Sequence, residues 1–296
     1  MKKKISPFLI LCSAICFSSS GFFVKAIPWG SFGIGSGRTL VAACVIFLYL
    51  KIRKHKLVLN RSVFLCGASI AVSGYCYILS AKMTTSAAAI ILEFTAPIFI
   101  ILFSLLFFRK KPSKLDLIVM PLVICGIVCF FFDSFVGPST APNPLLGNIF
   151  GLAAGMTYAV VFMMKMLPGS DNLSSIFVGC VISAILGFPA LVSEITKPGN
   201  CTVQILLMMF LLGAVQYASS YIFMAEGLDH TPAFAASLIS TIEPILNPLL
   251  TAVMLGEKMG YLTLIGFAIV IGSILCYNLL QDYLDKKNSI KNKESL

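Results

Sequence analysis

Long apolar runs separated by short polar stretches dominate the chain. Ten runs are evident, near residues 6–27, 32–51, 62–81, 85–108, 115–133, 146–167, 173–193, 203–225, 232–255 and 261–280. Several are long enough to cross the roughly 30 Å of hydrocarbon in a bilayer as a helix. Stretches such as 87–108 and 260–280 are apolar almost throughout. Strands of a membrane barrel would instead alternate apolar and polar residues over about ten positions. Lipid offers no partner to a backbone N–H or C=O, so these runs must satisfy their hydrogen bonds internally, as helices do. The pattern predicts an all-α polytopic membrane protein with ten transmembrane helices.

Composition agrees. Hydrophobic residues make up 58% of the 296 positions and charged residues only 11%, against about 45–50% and about 25% in soluble domains. The connections are short, the longer ones being 51–61, 134–145 and 194–202, so no separate soluble domain is expected. Lys2, Lys3 and Lys4 ahead of an apolar run imitate a signal peptide, but no small-x-small cleavage site follows, and a retained first helix is expected. Nine of the ten cysteines lie in apolar runs and only Cys201 in a loop. Cys12/Cys16 and Cys125/Cys129 are spaced four apart with no histidine nearby, so they read as small core residues, not metal ligands.

The net charge of +10 could suggest nucleic acid, but the basic residues stand at helix ends. With a cytoplasmic N-terminus, one side of the membrane collects Lys2–Lys4, Lys51, Arg53, Lys54, Lys56, Arg61, Arg109, Lys110, Lys111, Lys114 and the tail lysines, while the other holds chiefly Lys82, Lys197 and Lys258. This asymmetry predicts both termini in the cytoplasm and an even number of spans.

The chain also repeats itself. Sliding it by 147 residues lays Thr84 on Thr231, Pro97 on Pro244, Lys111 on Lys258 and Cys129 on Cys276; a shift of 140 lays Lys25 and Pro28 on Lys165 and Pro168. Two five-helix halves are expected, 8–134 and 147–280, followed by a basic cytoplasmic tail over 281–296. Five is odd, so the halves enter the membrane in opposite senses. Inverted repeats of this kind place a binding site near the midplane between the halves and support alternating access.

Several local patterns point the same way: Ser18-Ser-Ser-Gly-Phe-Phe-Val-Lys in the first run, Arg38 in the second, Thr95-Ala-Pro in the fourth, and Ile242-Glu-Pro-Ile-Leu-Asn-Pro leading into Leu255-Gly-Glu-Lys and Gly266. With these, the sequence resembles the drug/metabolite transporter superfamily, specifically its ten-helix members built of two EamA domains. The first half departs from the family pattern, with Phe108-Arg-Lys-Lys where Gly-Glu-Lys/Arg is usual. The resemblance implies a central cavity lined mainly by helices 1, 3, 4, 6, 8 and 9, and transport or export of amino acids or other metabolites.

Ionisable groups inside spans cost at least about 2.5 kcal/mol each on insertion scales, so they are paired or functional. Glu93 and Arg38 both lie roughly 10 Å inside the same face; either they pair or they meet substrate. Lys25 either snorkels to the headgroups or serves as counter-ion to Glu93 or to a substrate carboxylate. Glu243 is expected mid-helix beside Pro244, with Asn247 and Pro248 one turn on, where proline frees backbone carbonyls. Tyr75, Tyr77, Tyr158, Gln216 and Tyr217 complete the candidate substrate-binding set, Tyr221 sharing a face with Tyr217; each could equally join helices. Ser18, Ser19 and Ser20 either break the first helix or pack as small residues. Glu226, Asp229 and His230 read as a solvated turn, and Glu257 as part of a helix end.

These features predict a secondary transporter of a small organic metabolite, an amino acid or relative, most simply an exporter in the cytoplasmic membrane. Its expected partners are that substrate, the lipid bilayer and protons, without nucleic acid or cofactor, in a monomer or weak homo-oligomer. The alternatives are a nucleoside or quaternary-amine carrier and an intramembrane enzyme. No HExxH, nucleophile elbow or Walker A sequence occurs.

Overall fold

The structure, a computed structural model, describes residues 2–108, 114–136, 141–163, 168–228, 239–240, 242–257 and 260–294. It is all-α: α1 (Lys2–Ser18), α2 (Ser20–Ala26), α3 (Ser31–Ile52), α4 (Arg61–Met83), α5 (Ser86–Glu93), α6 (Ala96–Phe108), α7 (Lys114–Val136), α8 (Pro144–Met163), α9 (Asn172–Leu186), α10 (Phe188–Thr196), α11 (Val203–Phe210), a π segment (Leu211–Ser219), α12 (Ser220–Leu228), α13 (Glu243–Leu255) and α14 (Tyr261–Glu294). Each predicted run coincides with one to three of these elements. The start of the ninth, and with it Asp229 and His230, lies outside the described residues, as does Lys258.

Six stretches are long and apolar enough to cross a membrane: Ser6–Ala26, Ser31–Ile52, Arg61–Met83, Ser86–Phe103, Asn172–Thr196 and Val203–Gly227. Shorter apolar helices cover Pro144–Val160, Glu243–Leu255 and Tyr261–Tyr277. Outward-facing Leu48, Phe64, Ile185 and Val253 are exposed, as expected where lipid is the solvent. Local signals set the helix starts. The side chains of Asn60, Thr85, Asp171 and Thr202 each accept a first-turn N–H three residues on, those of Val63, Ala88, Ser174 and Ile205. Gly256, at φ +64°, ends α13 in the left-handed conformation that glycine adopts without strain.

Several runs expected to be continuous are broken. The first parts at Ser19, where the break was one of two open readings, and the seventh at Gly187. The fourth parts at Phe94 and Thr95. Proline cannot donate a backbone hydrogen bond and its ring crowds the carbonyl four residues back. For Pro97 that carbonyl belongs to Glu93, the last residue of α5, and α6 restarts at Ala96. The same rule corrects Glu243: it is the first residue of α13, with Pro244 in the first turn where proline is tolerated. α14 runs on through the basic tail to Glu294.

The packing partners form a pattern. α4 packs on α8 and α9, α8 also on α5 and α6, α7 on α14, α1 on α12 and α13, and α3 on α9, α10 and the π segment. Numbering the ten runs in order, the pairing of runs three and six has its counterpart in eight and one, and three with seven in eight with two. Four with six answers to nine with one, while two with seven and five with ten map onto themselves. The buried core follows these contacts, with Val24, Ile34, Ile78, Ile91, Leu92, Ala154, Leu212 and Val270 in one cluster. Ala42, Ile46, Ile70, Cys180 and Ala218 form a second.

Candidate functional site

Three of these breaks converge on one cavity. Ser20 opens α2, Glu93 closes α5, Phe94 occupies the break after it, and Glu243 opens α13; all four line the same space. Phe17 of α1 and Ile70, Ser73, Gly74 and Tyr77 of α4 form further walls. Arg38 enters from α3, Tyr158 from α8, Gln216 and Tyr217 from the π segment and Tyr221 from α12. The volume is about 50 Å³, room for roughly three to five water molecules. Runs 1, 3, 4, 6, 8 and 9 therefore contribute as the resemblance implies, and run 2 adds the guanidinium.

Helix geometry explains the lining. Gln216 and Tyr217 are adjacent and would diverge on a regular α-helix. The π segment widens the turn, Ser219 Oγ donating to the carbonyl of Ala214 five residues back at 2.7 Å, and both side chains reach the cavity. π segments inside helices are frequent at functional sites. Gly213 permits the close approach behind it: a Cβ there would stand 2.6 Å from both the Arg38 backbone oxygen and Val41 Cβ.

The charges are held apart. Arg38 is buried, its guanidinium 4.7 Å above the Tyr217 ring, with Nη2 donating to Gly74 O at 3.3 Å and Nε without a partner. Glu93 accepts from Ser73 Oγ at 3.4 Å. Among the described residues no ion pair joins either cavity carboxylate to Arg38, so the Glu93–Arg38 salt bridge read as one option in the sequence is not formed. Gln216 Oε1 is likewise buried without a partner. Buried polar atoms are normally satisfied, and here two residues that line one cavity each keep an unsatisfied one.

Of the ten residues singled out in the sequence, Glu93, Glu243, Tyr77, Tyr158, Gln216, Tyr217 and Arg38 line the cavity. Three do not. Tyr75 is two positions from Tyr77 and so faces the other way along α4, its hydroxyl donating to Ser183 O at 2.6 Å and its ring against Phe32. Asn247 stands one turn beyond Glu243 as a brace: its Nδ2 donates to Ser20 Oγ at 2.9 Å and to Tyr77 Oη at 3.1 Å, while Ser20 and Tyr77 are joined at 2.7 Å. Lys25 is neither a free snorkel nor a partner of Glu93. Its ammonium pairs with Glu257 at 2.9 Å and donates to Thr84 O at 2.9 Å. Glu226, expected in a solvated turn, is engaged by Arg53 and Tyr49. The sequence set omitted Ser20, Ser73 and Phe17; small and apolar residues in an apolar run give no signal until the walls are assembled.

The model of the EamA-like transporter family matches residues 4–132 and again residues 145–279. The chain belongs to this family. Its similarity to other transporters runs through nearly its full length. It is 23% identical over 292 residues to the uncharacterized transporter YetK of Bacillus subtilis, covering 93% of this chain and 87% of that protein. It is 22% identical over 275 residues to the threonine/homoserine exporter RhtA of Salmonella typhimurium, covering 90% and 89%. A solved crystal structure aligns over 94% of this chain and 98% of its own, with a TM-score of 0.65 and 16% identity, a likeness of fold alone. The protein is a multi-pass membrane transporter.

Proposed function

We propose that this EamA-like transporter is a secondary carrier that moves an amino acid or a closely related zwitterionic metabolite out across the cytoplasmic membrane by alternating access, with both termini in the cytoplasm. The observation that carries the reading is one cavity lined by two carboxylates, Glu93 and Glu243, and one guanidinium, Arg38, none of them paired with another. A zwitterion supplies both complements: its ammonium lies toward a carboxylate and its carboxylate toward Arg38 and Gln216, with the Tyr158, Tyr217 and Tyr221 rings packing the remainder. The second carboxylate is free to carry a proton.

The reciprocal packing of the two sets of five runs, the double family match over 4–132 and 145–279 and the internal sequence overlay support two inverted halves that rock about the cavity. At about 50 Å³ the space is smaller than the ~300 Å³ and upward of ordinary ligand pockets, which fits a contracted state of the site. The distant likeness to a threonine/homoserine exporter supports the cargo class and the direction.

The test is uptake by proteoliposomes of a labelled panel of amino acids, nucleosides and quaternary amines, with and without an imposed pH gradient. Gradient-driven accumulation of an amino acid supports the reading, and Glu243→Gln should then keep the fold while changing the rate or its pH profile. Accumulation of a nucleoside or quaternary amine instead overturns the cargo, and unaltered transport by Glu243→Gln at every pH removes that residue from the mechanism.

A further inference from the structure

We propose that the Lys25–Glu257 ion pair is a latch that shuts the cavity at one end of the molecule and biases the resting protein toward closure there. This rests on the alternating-access reading. Glu257 lies in the turn between α13 and α14, in the second half, and is almost buried, its side chain 7% exposed beside a lysine at 18%. One of its oxygens takes both the Lys25 ammonium, at 2.9 Å, and the backbone N–H of Ser86, at 2.7 Å. Lys25 also holds the carbonyl of Thr84. One carboxylate thus ties the end of α2 and the beginning of α5, both in the first half, to the second half.

Those two helices lead straight to the cavity. α2 begins at Ser20 and α5 ends at Glu93, both lining residues, and α5 spans only about 11 Å from the latch to its own carboxylate. The cavity therefore cannot open toward the Lys25 end by parting the halves while the Glu257 carboxylate keeps its partners. Its second oxygen is buried without a partner, so the pair is held by one oxygen and is open to exchange for water as the end parts.

At the opposite end, about 33 Å away along α3, Arg53 and Glu226 also join the halves, but their side chains are 52% and 32% exposed. Exposed pairs contribute little, whereas stranding one member of a buried pair is strongly unfavourable. The internal overlay sharpens the asymmetry. It lays Lys25 on Lys165 and Glu257 on Lys110, so the overlay gives Glu257 no acidic counterpart in the other half. The bias toward closure at the Lys25 end is therefore written into one half only.

The chain has a single tryptophan, Trp29, four residues past Lys25. It is 2% exposed, with its indole N–H on Asn200 O at 2.9 Å. Acrylamide quenching of its fluorescence, in the purified full chain in nanodiscs, reads opening at this end without any substrate. Glu257→Gln neutralises the pair but leaves an oxygen for the Ser86 N–H, and Lys25→Met removes only the cation. Both should raise quenching, the closed-to-open ratio falling on the order of tenfold, while Arg53→Gln leaves it as it was. No rise in either folded latch variant, a rise in only one, or an equal rise with Arg53→Gln overturns the latch; if Glu257→Gln does not fold, Lys25→Met against Arg53→Gln decides alone. Failure of the uptake panel with quenching that responds would overturn the proposed cargo class and leave the latch.

Discussion

Gly21→Ala is the sharpest probe of the packing around the cavity. Gly21 follows Ser20 at the start of α2, and a Cβ there would lie 2.2 Å from Asn247 Oδ1, 2.9 Å from Thr251 Oγ1 and 3.0 Å from Ser86 Oγ. Asn247 cannot swing aside cheaply, because its Nδ2 holds Ser20 and Tyr77. Overpacking of this kind costs about 1–3 kcal/mol, and each of the two interhelical hydrogen bonds put at risk averages about 0.6 kcal/mol in a membrane bundle. Against that, alanine gains about 0.5–1 kcal/mol over glycine inside a helix. The net loss is about 2 kcal/mol. At roughly 2–4 °C per kcal/mol for a chain approaching this size, the detergent-solubilised variant should melt several degrees lower. Gly272→Ala is the matched control: it too is helical, and its Cβ would meet nothing within 4 Å, so it should hold or slightly raise the melting temperature. Gly21→Ala melting with or above the parent while Gly272→Ala behaves as expected would refute the close packing of α2 on α13.

Other substitutions probe different links. Gly213→Ala would place a Cβ 2.6 Å from the Arg38 backbone oxygen; backbone cannot yield as a side chain does, so α3 and the π segment should separate, with a thermal loss at least that of Gly21→Ala and impaired transport. Asp171 caps α9 through Ser174 N at 2.8 Å and contacts His55 at 3.1 Å. Its partial burial acts to raise its pKa, but the Ser174 hydrogen bonds and His55 outweigh it and hold the carboxyl below its ordinary range. A depressed carboxylate stabilises fully above its unfolded pKa, so this contribution should persist above about pH 4 and disappear as pH falls further. Asp171→Ala should cost about 0.5–2 kcal/mol near neutrality, and a difference in melting temperature from the parent that stayed constant down to strongly acidic pH would contradict the assignment.

Hydropathy was sufficient for the class, because lipid forces each long apolar run to close its own hydrogen bonds as a helix whatever its neighbours do. The same reasoning made Glu93, Glu243, Arg38 and Gln216 conspicuous, since an ionic or amide group in such a run is costly wherever it ends up. Chain rules also contained the breaks, although continuous helices were expected: Pro97 necessarily frees the Glu93 carbonyl, and Pro244 sits most easily in a first turn. What no periodicity could supply was the partner of each group. Lys25 and Glu257 are 232 residues apart, and either was as plausible at the headgroups until α2, α5 and the α13–α14 turn met. Tyr75 and Tyr77 differ by two positions, and only the identity of the facing helices decided which one reached the cavity. Local sequence determined where the helices form and which residues are expensive to bury; the tertiary structure alone decided which of those residues face each other, because that depends on packing between runs far apart in the chain.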